Sequence, residues 1–162
     1  MAEQIAELIV GKAATAFTAL VEYVQPSFAE PQKRFGWVNP DFENADFQPN
    51  DRCKDEYAAR ESGEIAFEIV EFDHDWTEDE ALATISRRGL LPAGYEEGIG
   101  YAKKFPKATL ERPLLLLGSV ALLGGFRSVA FLVKDDFGKC DLCTSRIVGG
   151  WNCRYRVLAR RR

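Results

Sequence analysis

The 162-residue chain contains one histidine and one methionine. Acid–base or nucleophilic catalysis built on histidine therefore has little to stand on. The four cysteines do not fall into two short-spaced pairs, the usual pattern of a structural zinc module. Only Cys140 and Cys143 form a C-x-x-C. G-x-S-x-G, P-loop and H-E-x-x-H patterns are missing, and the glycines of LGSVALLGGF lack phosphate-loop spacing. No segment approaches the ~20 apolar residues of a membrane helix. A basic excess is lacking too: the net charge is −4, which argues against a nucleic-acid partner. The N-terminus has no basic stretch ahead of its apolar residues and carries Glu3, Glu7, Lys12 and Glu22. It reads as mature protein without a signal peptide. The expected location is the cytoplasm, or a cell surface or virus particle reached through another component.

What is present suits one domain able to bury a full core, with 46% hydrophobic and 12% aromatic residues. Apolar residues at helical spacing (Ile5, Leu8, Ile9, Phe17, Leu20, Val21 and Val24) predict a helix ending before Pro26. The next thirty residues, to Asp55, read as irregular chain anchored by Phe35, Trp37, Phe42 and Phe47, with a short strand at RFGWV. EIAFEIVEF (Glu64 to Phe72) alternates as a half-buried strand does. Thr77 with Glu80 predicts a capping box, followed by a helix stopping at Gly89 and a second helix ending before Pro106. RPLLLLGS reads as a buried central strand, FRSVAFLV as another, and Gly124-Gly125 as the hairpin turn after the first. YRVLARR alternates Tyr155, Val157 and Ala159 against Arg156, Leu158 and Arg160 and predicts a last strand. The fold class is α+β.

Several features have plain readings. His74, between two aspartates before a helix, reads as a turn histidine. The neighbours Asp135-Asp136 and Glu96-Glu97 read as solvated faces, as do the arginines at the end, Arg154, Arg156 and Arg160 to Arg162. A zinc- or thiol-dependent module using Cys140, Cys143, Cys153 and Cys53 or His74 stands as the alternative to a binding protein. A thioredoxin-like pair is disfavoured, because the C-x-x-C leads into Gly-Gly and a strand and not into a helix.

Two blocks carry a resemblance. DWTEDEALATISRRGLLPAGYEEGIGYAKKFPKATLERPLLLLGS runs helix, link, helix and "P-[ILV]-x-x-LGS" strand, and FRSVAFLV…GGWNCRYRVLARRR closes the chain. Over residues 64–162 this resembles the C-type-lectin-like variable proteins of diversity-generating retroelements, of archaeal or candidate-phylum bacterial and viral type. Residues 1–55 stand outside the resemblance as an N-terminal elaboration. The resemblance implies a C-type lectin fold, with two helices, small antiparallel sheets and long loops. It also implies a non-enzymatic ligand-binding protein whose C-terminal surface, about residues 126–155, is varied to meet different macromolecular targets. Variation there arises by replacing adenines in AAY codons, which never produces Lys, Glu, Gln, Met or Trp. The stretch Cys140 to Tyr155 contains none of these except Trp151. The implied display positions are Phe131, Val133, Cys140, Asp141, Cys143, Ser145, Arg146, Asn152, Cys153, Arg154 and Tyr155, on a scaffold that includes Leu142 and Trp151. On this reading the C-x-x-C is two outward positions filled by chance. Sugar-binding lectins hold calcium through Glu-Pro-Asn and Trp-Asn-Asp motifs. Here Trp151-Asn152 is followed by Cys153, so no calcium or other cofactor is expected. Formylglycine-generating enzymes share a similar fold with catalytic cysteines, but no residue pattern here supports that activity.

Overall fold

Period-two patterning builds most of this chain. A computed structural model describes residues 17–21, 35–53, 62–105 and 111–162. Its elements are β1 (Phe17–Val21), β2 (Trp37–Val38), a 3₁₀ helix (Pro40–Asn44), β3 (Gln48–Pro49), β4 (Gly63–Val70), α1 (Glu78–Arg87), β5 (Leu90–Pro92), α2 (Tyr95–Lys104), β6 (Leu114–Leu123), β7 (Phe126–Lys134), β8 (Cys140–Arg146) and β9 (Arg156–Arg161). The strands form one large mixed sheet in the order β1-β4-β9-β6-β7-β8-β2, with β3 beside β6 and β5 beside β9. Most pairs are antiparallel, while β6 with β9 and β2 with β8 are parallel. The α+β class holds, but the strands are joined in a single sheet and not in several small ones.

Each face of the sheet carries its own core. On the first face Leu114, Leu116, Ala130, Leu132, Leu142 and Leu158 pack against Tyr95, Ile99 and Ala102 of α2. On the second, Val70, Leu115, Leu117, Val129, Val157 and Ala159 meet Ala81 and Ile85 of α1 together with Trp76 and Trp151. A fully buried Leu or Val is worth about 1.5–3 kcal/mol, so the doubly covered strands β6 and β9 anchor the molecule. The last strand expected at YRVLARR is β9. Arg156 through Ala159 are all buried, because β9 lies between β4 and β6 with a helix on either side.

The helices start and stop for local reasons. Thr77 Oγ1 accepts from Glu80 N–H (3.3 Å), and Gly89 ends the turn after α1 at φ 71°. The reciprocal half of the expected capping box is diverted, since Glu80 Oε1 lies 2.5 Å from His74 Nε2. At α2, Glu97 Oε1 accepts from Gly94 N–H (2.8 Å), while its Oε2 meets Arg160 Nη1 at 2.9 Å. Glu97 is fully buried, which overturns its reading as a solvated carboxylate. Arg156 and Arg160 are likewise drawn inward and do not belong to a solvated tail. Gly124 and Gly125 both take positive φ (58° and 81°), as a two-residue hairpin turn with the right twist requires.

The N-terminal third differs most from expectation. Phe17–Val21 is a strand on the free edge of β4, with Ala19 and Val21 buried, and not part of a helix. Spacing that fits one helical face there also fits alternation, and the open edge of β4 decides between them. The rest of the predicted helix lies outside the described residues. Phe35, Phe42 and Phe47 are buried as anchors, Phe47 stacking on Tyr95 at 4.9 Å. Beyond them, buried Asn50 and Glu78 tie this segment to the second face. Glu78 receives Arg127 Nη1 at 3.0 Å, Arg52 Nε at 3.0 Å and Asn50 Nδ2 at 3.1 Å.

Candidate functional site: an open strip on the second face

Residues opposite one another in a sheet share a face, so the register of β7 and β8 sorts the candidate positions. Phe131 pairs with Cys143, Val133 with Asp141, and Val129 with Ser145. These six lie on the second face, and Trp37 of β2 joins them opposite Asp141. Tyr155, just before β9, meets Phe131 edge to face at 6.2 Å. Near Val129 this face is covered by α1 and the Trp76–Trp151 contact. Further along, Tyr155, Phe131, Val133, Cys143 and Asp141 form a half-buried strip that reaches the edge residue Trp37, which is 48% exposed.

The opposite face takes the other parity. Cys140 pairs with Lys134, Leu142 with Leu132, and Arg146 with Ser128. Leu142, read as scaffold, is fully buried. Cys140 is only 4% exposed, packed in the first core with Leu132 and Leu142. Cys140 is therefore not an outward position, because three residues along a strand reverse the side-chain direction. Arg146 also leaves the strip. It lies on the first face, with its guanidinium 4.1 Å above the Phe126 ring.

The same parity bears on the thiol chemistry. Cys140 and Cys143 point to opposite sides of β8 and cannot share one ion. Among the described residues no three or more Cys, His, Asp or Glu side chains gather around a possible metal position. Burial pushes the Cys140 thiol up to about 12 and the Cys143 thiol up to about 11, with the Asp141 charge adding to both. At neutral pH both stay protonated, unlike a reactive or metal-binding thiolate. His74 stands away from the cysteines, exposed and held by Asp73 (2.7 Å) and Glu80.

The loop ahead of β9 is fixed from below. Trp76 and Trp151 exchange two backbone hydrogen bonds of 2.8 Å, and their rings lie 5.0 Å apart. Gly150, at φ 87°, passes so close to Trp76 O that a Cβ would collide with it. Trp151, read as scaffold, is buried and donates from Nε1 to Ser145 Oγ (3.0 Å). Ser145 thus supports the tryptophan as well as lining the strip. Asn152 Oδ1 accepts from Arg154 N–H (2.9 Å) and Asn152 O from Tyr155 N–H (3.1 Å). This turn presents Cys153 and Arg154, both exposed, at the end of the strip. Asn152 acts as the turn's own acceptor.

Trp37 is the strip residue that the sequence reading misplaced, as an anchor. In GWV, Val38 faces the core, so alternation turns Trp37 outward. That signal was readable once the short strand was assigned. Asp141 is the strip's one carboxylate. Burial and the nearby Asp135 charge raise its pKa, and Oδ1 is buried without a hydrogen-bond partner. No helix among the described residues is long and apolar enough to cross a membrane. Compared with known proteins, the chain matches no family model, no curated protein and no solved structure.

Proposed function

We propose that the chain is a non-enzymatic ligand-binding protein of the C-type-lectin-like variable kind, which meets a macromolecular partner through the strip on its second face. One observation carries this reading. Phe131, Val133, Asp141, Cys143 and Tyr155 project side by side, half exposed, while the strands bury Ala130, Leu132, Cys140 and Leu142 in the first core on their other face. Main-chain ladders hold such strands whatever the side chains are, so these positions can change identity without moving the backbone. Aromatic residues and an arginine at the rim (Trp37, Phe131, Tyr155 and Arg154) are the types that dominate interface energetics. Two helices between β4 and β6, and a closing β9 beside β4, support the lectin-like reading of residues 64–162. Display narrows from the wider set to Phe131, Val133, Asp141, Cys143, Cys153, Arg154 and Tyr155, with Ser145 and Asn152 partly given to support.

Sequencing the locus tests the proposal. The expected finding is a reverse transcriptase gene nearby, with a near-copy of the 3′ end that differs at adenines. Gene copies from one population should then vary at the strip codons and stay fixed at Leu142 and Trp151. Uniform strip codons with no template copy would remove the diversification claim.

A further inference from the structure

Past Leu142, no strand lies beside the outer edge of β8 among the described residues. β2 ends at Val38, and Asn39 N–H makes the last bond across, to Leu142 O at 2.9 Å. Pro40 has no N–H to continue the ladder, and the chain turns there into the 3₁₀ helix. Asn39 secures that turn on both sides. Its Oδ1 accepts from Asp41 N–H (2.9 Å), and its Nδ2 donates to Thr144 Oγ1 (3.0 Å).

The ladder shows which way the free groups point. Ile147 N–H bonds to Arg127 O at 2.9 Å, so the odd-numbered residues of this stretch bond inward to β7. The main-chain polar groups of Thr144 and Arg146 therefore face outward, where Arg146 O also accepts a long hydrogen bond from Ser145 Oγ (3.4 Å). Beside them opens a cavity of about 550 Å³, lined by Asp41, Leu122, Ser128, Thr144 and Arg146 among others. Leu122 is 73% exposed on its rim. Arg146 is steadied over Phe126, and no carboxylate pairs with it among the described residues.

We propose that this edge and cavity dock an extended segment of a partner protein, which adds a short strand to β8 and sets one acidic side chain on Arg146. Main-chain bonds to an open edge supply the attachment, and a pocket beside it selects alternate side chains. Charge complementarity selects the acidic residue, because Arg146 presents a guanidinium held over the Phe126 ring with no carboxylate paired to it among the described residues. Asp41 on the facing wall disfavours a run of acids, so the segment carries one. The site lies on the face opposite the proposed display strip and stands or falls separately from it.

The test titrates the uniformly ¹⁵N-labelled full chain with acetyl-Val-Thr-Glu-Thr-Val-amide and with the same peptide bearing Gln for Glu. The expected result is saturable amide shifts centred on Ser128, Thr144 and Arg146. The Glu peptide should bind about five-fold tighter, as suits one exposed ion pair. In Arg146→Gln that preference disappears while the melting temperature is retained. Absence of saturable shifts at this edge would overturn the proposal. So would equal binding of the two peptides, a preference that persists in Arg146→Gln, or shifts confined to the Phe131–Tyr155 strip.

Discussion

Asp141 and His74 are individual charges whose surroundings push them in opposite energetic directions. Burial and Asp135 raise the Asp141 pKa, so the folded carboxyl keeps its proton to a higher pH than the unfolded one. Its contribution turns unfavourable as pH rises through that window, and the penalty is complete above it. Asp141→Asn, measured by thermal melting at pH 7, should therefore raise the melting temperature, and the gain should vanish at a pH low enough to protonate the carboxyl in both states. An unchanged or lower melting temperature would show that the carboxylate is better satisfied than its unpartnered oxygen indicates. His74 is raised instead, by Glu80 first and Asp73 second. Its stabilisation is fully present below its unfolded pKa of about 6.5 and fades as pH rises through the higher folded value. The melting-temperature difference between the chain and His74→Gln should thus be largest below about pH 6.5 and shrink as the pH rises above it. The cysteines separate by exposure: Cys153 is exposed, Cys140 buried. Brief iodoacetamide treatment of the folded protein, read by peptide mass spectrometry, should label Cys153 and spare Cys140. Early labelling of Cys140 would contradict its burial and its high pKa.

At the scale of elements, the positions that hold the site are close approaches and buried ions, which sequence patterning shows poorly. A Cβ at Gly98 would overlap the Leu116 side chain, where α2 lies against β6. Gly98→Ala should destabilise by about 1–3 kcal/mol through overpacking, although alanine favours helix by about 1 kcal/mol. A stabilised variant would mean that α2 sits further from the sheet. Removing the Glu78 charge leaves Arg127 and Arg52 facing a buried site, so Glu78→Gln should cost about 2–4 kcal/mol in denaturant unfolding. Alternation made β4 legible, a short continuous apolar run marked β6, Thr77 and Glu80 marked the start of α1, and two consecutive glycines marked the hairpin into β7. Phe17–Val21 was not legible as a strand, because five residues cannot separate the two periods and the edge of β4 lies distant in sequence. The arginines of β9 disguised a central strand: Arg156 and Arg160 were read as solvated but go inward, and Arg160 does so to reach buried Glu97. β8 escaped notice as a strand because CDLCTSR carries few β-branched residues and Leu142 alone marks its core face. The C-x-x-C held attention there, although strand geometry separates its two thiols.

The molecule is built on a two-sided sheet, with one part of its second face closed by helix and tryptophans and another part open. The described part of the N-terminal third contributes the buried phenylalanines, the Glu78 clamp and the edge residue Trp37, so it completes the strip and is not an appendage. The display reading requires tolerance on the strip and intolerance beneath it, a contrast that composition alone cannot supply. A combinatorial library at Phe131, Val133, Cys143, Cys153, Arg154 and Tyr155 measures this directly. A matched library at Leu132, Leu142, Trp151 and Leu158 serves as the control. The readouts are cooperative thermal unfolding of sampled variants and selection for binding to a protein absent from the design, such as hen egg-white lysozyme. On the display reading, most strip variants melt cooperatively near the parent temperature and lysozyme binders emerge from the strip library, while most control variants fail to fold. Strip variants that unfold as often as the control, or a well-folded strip library that yields no binder, would contradict it.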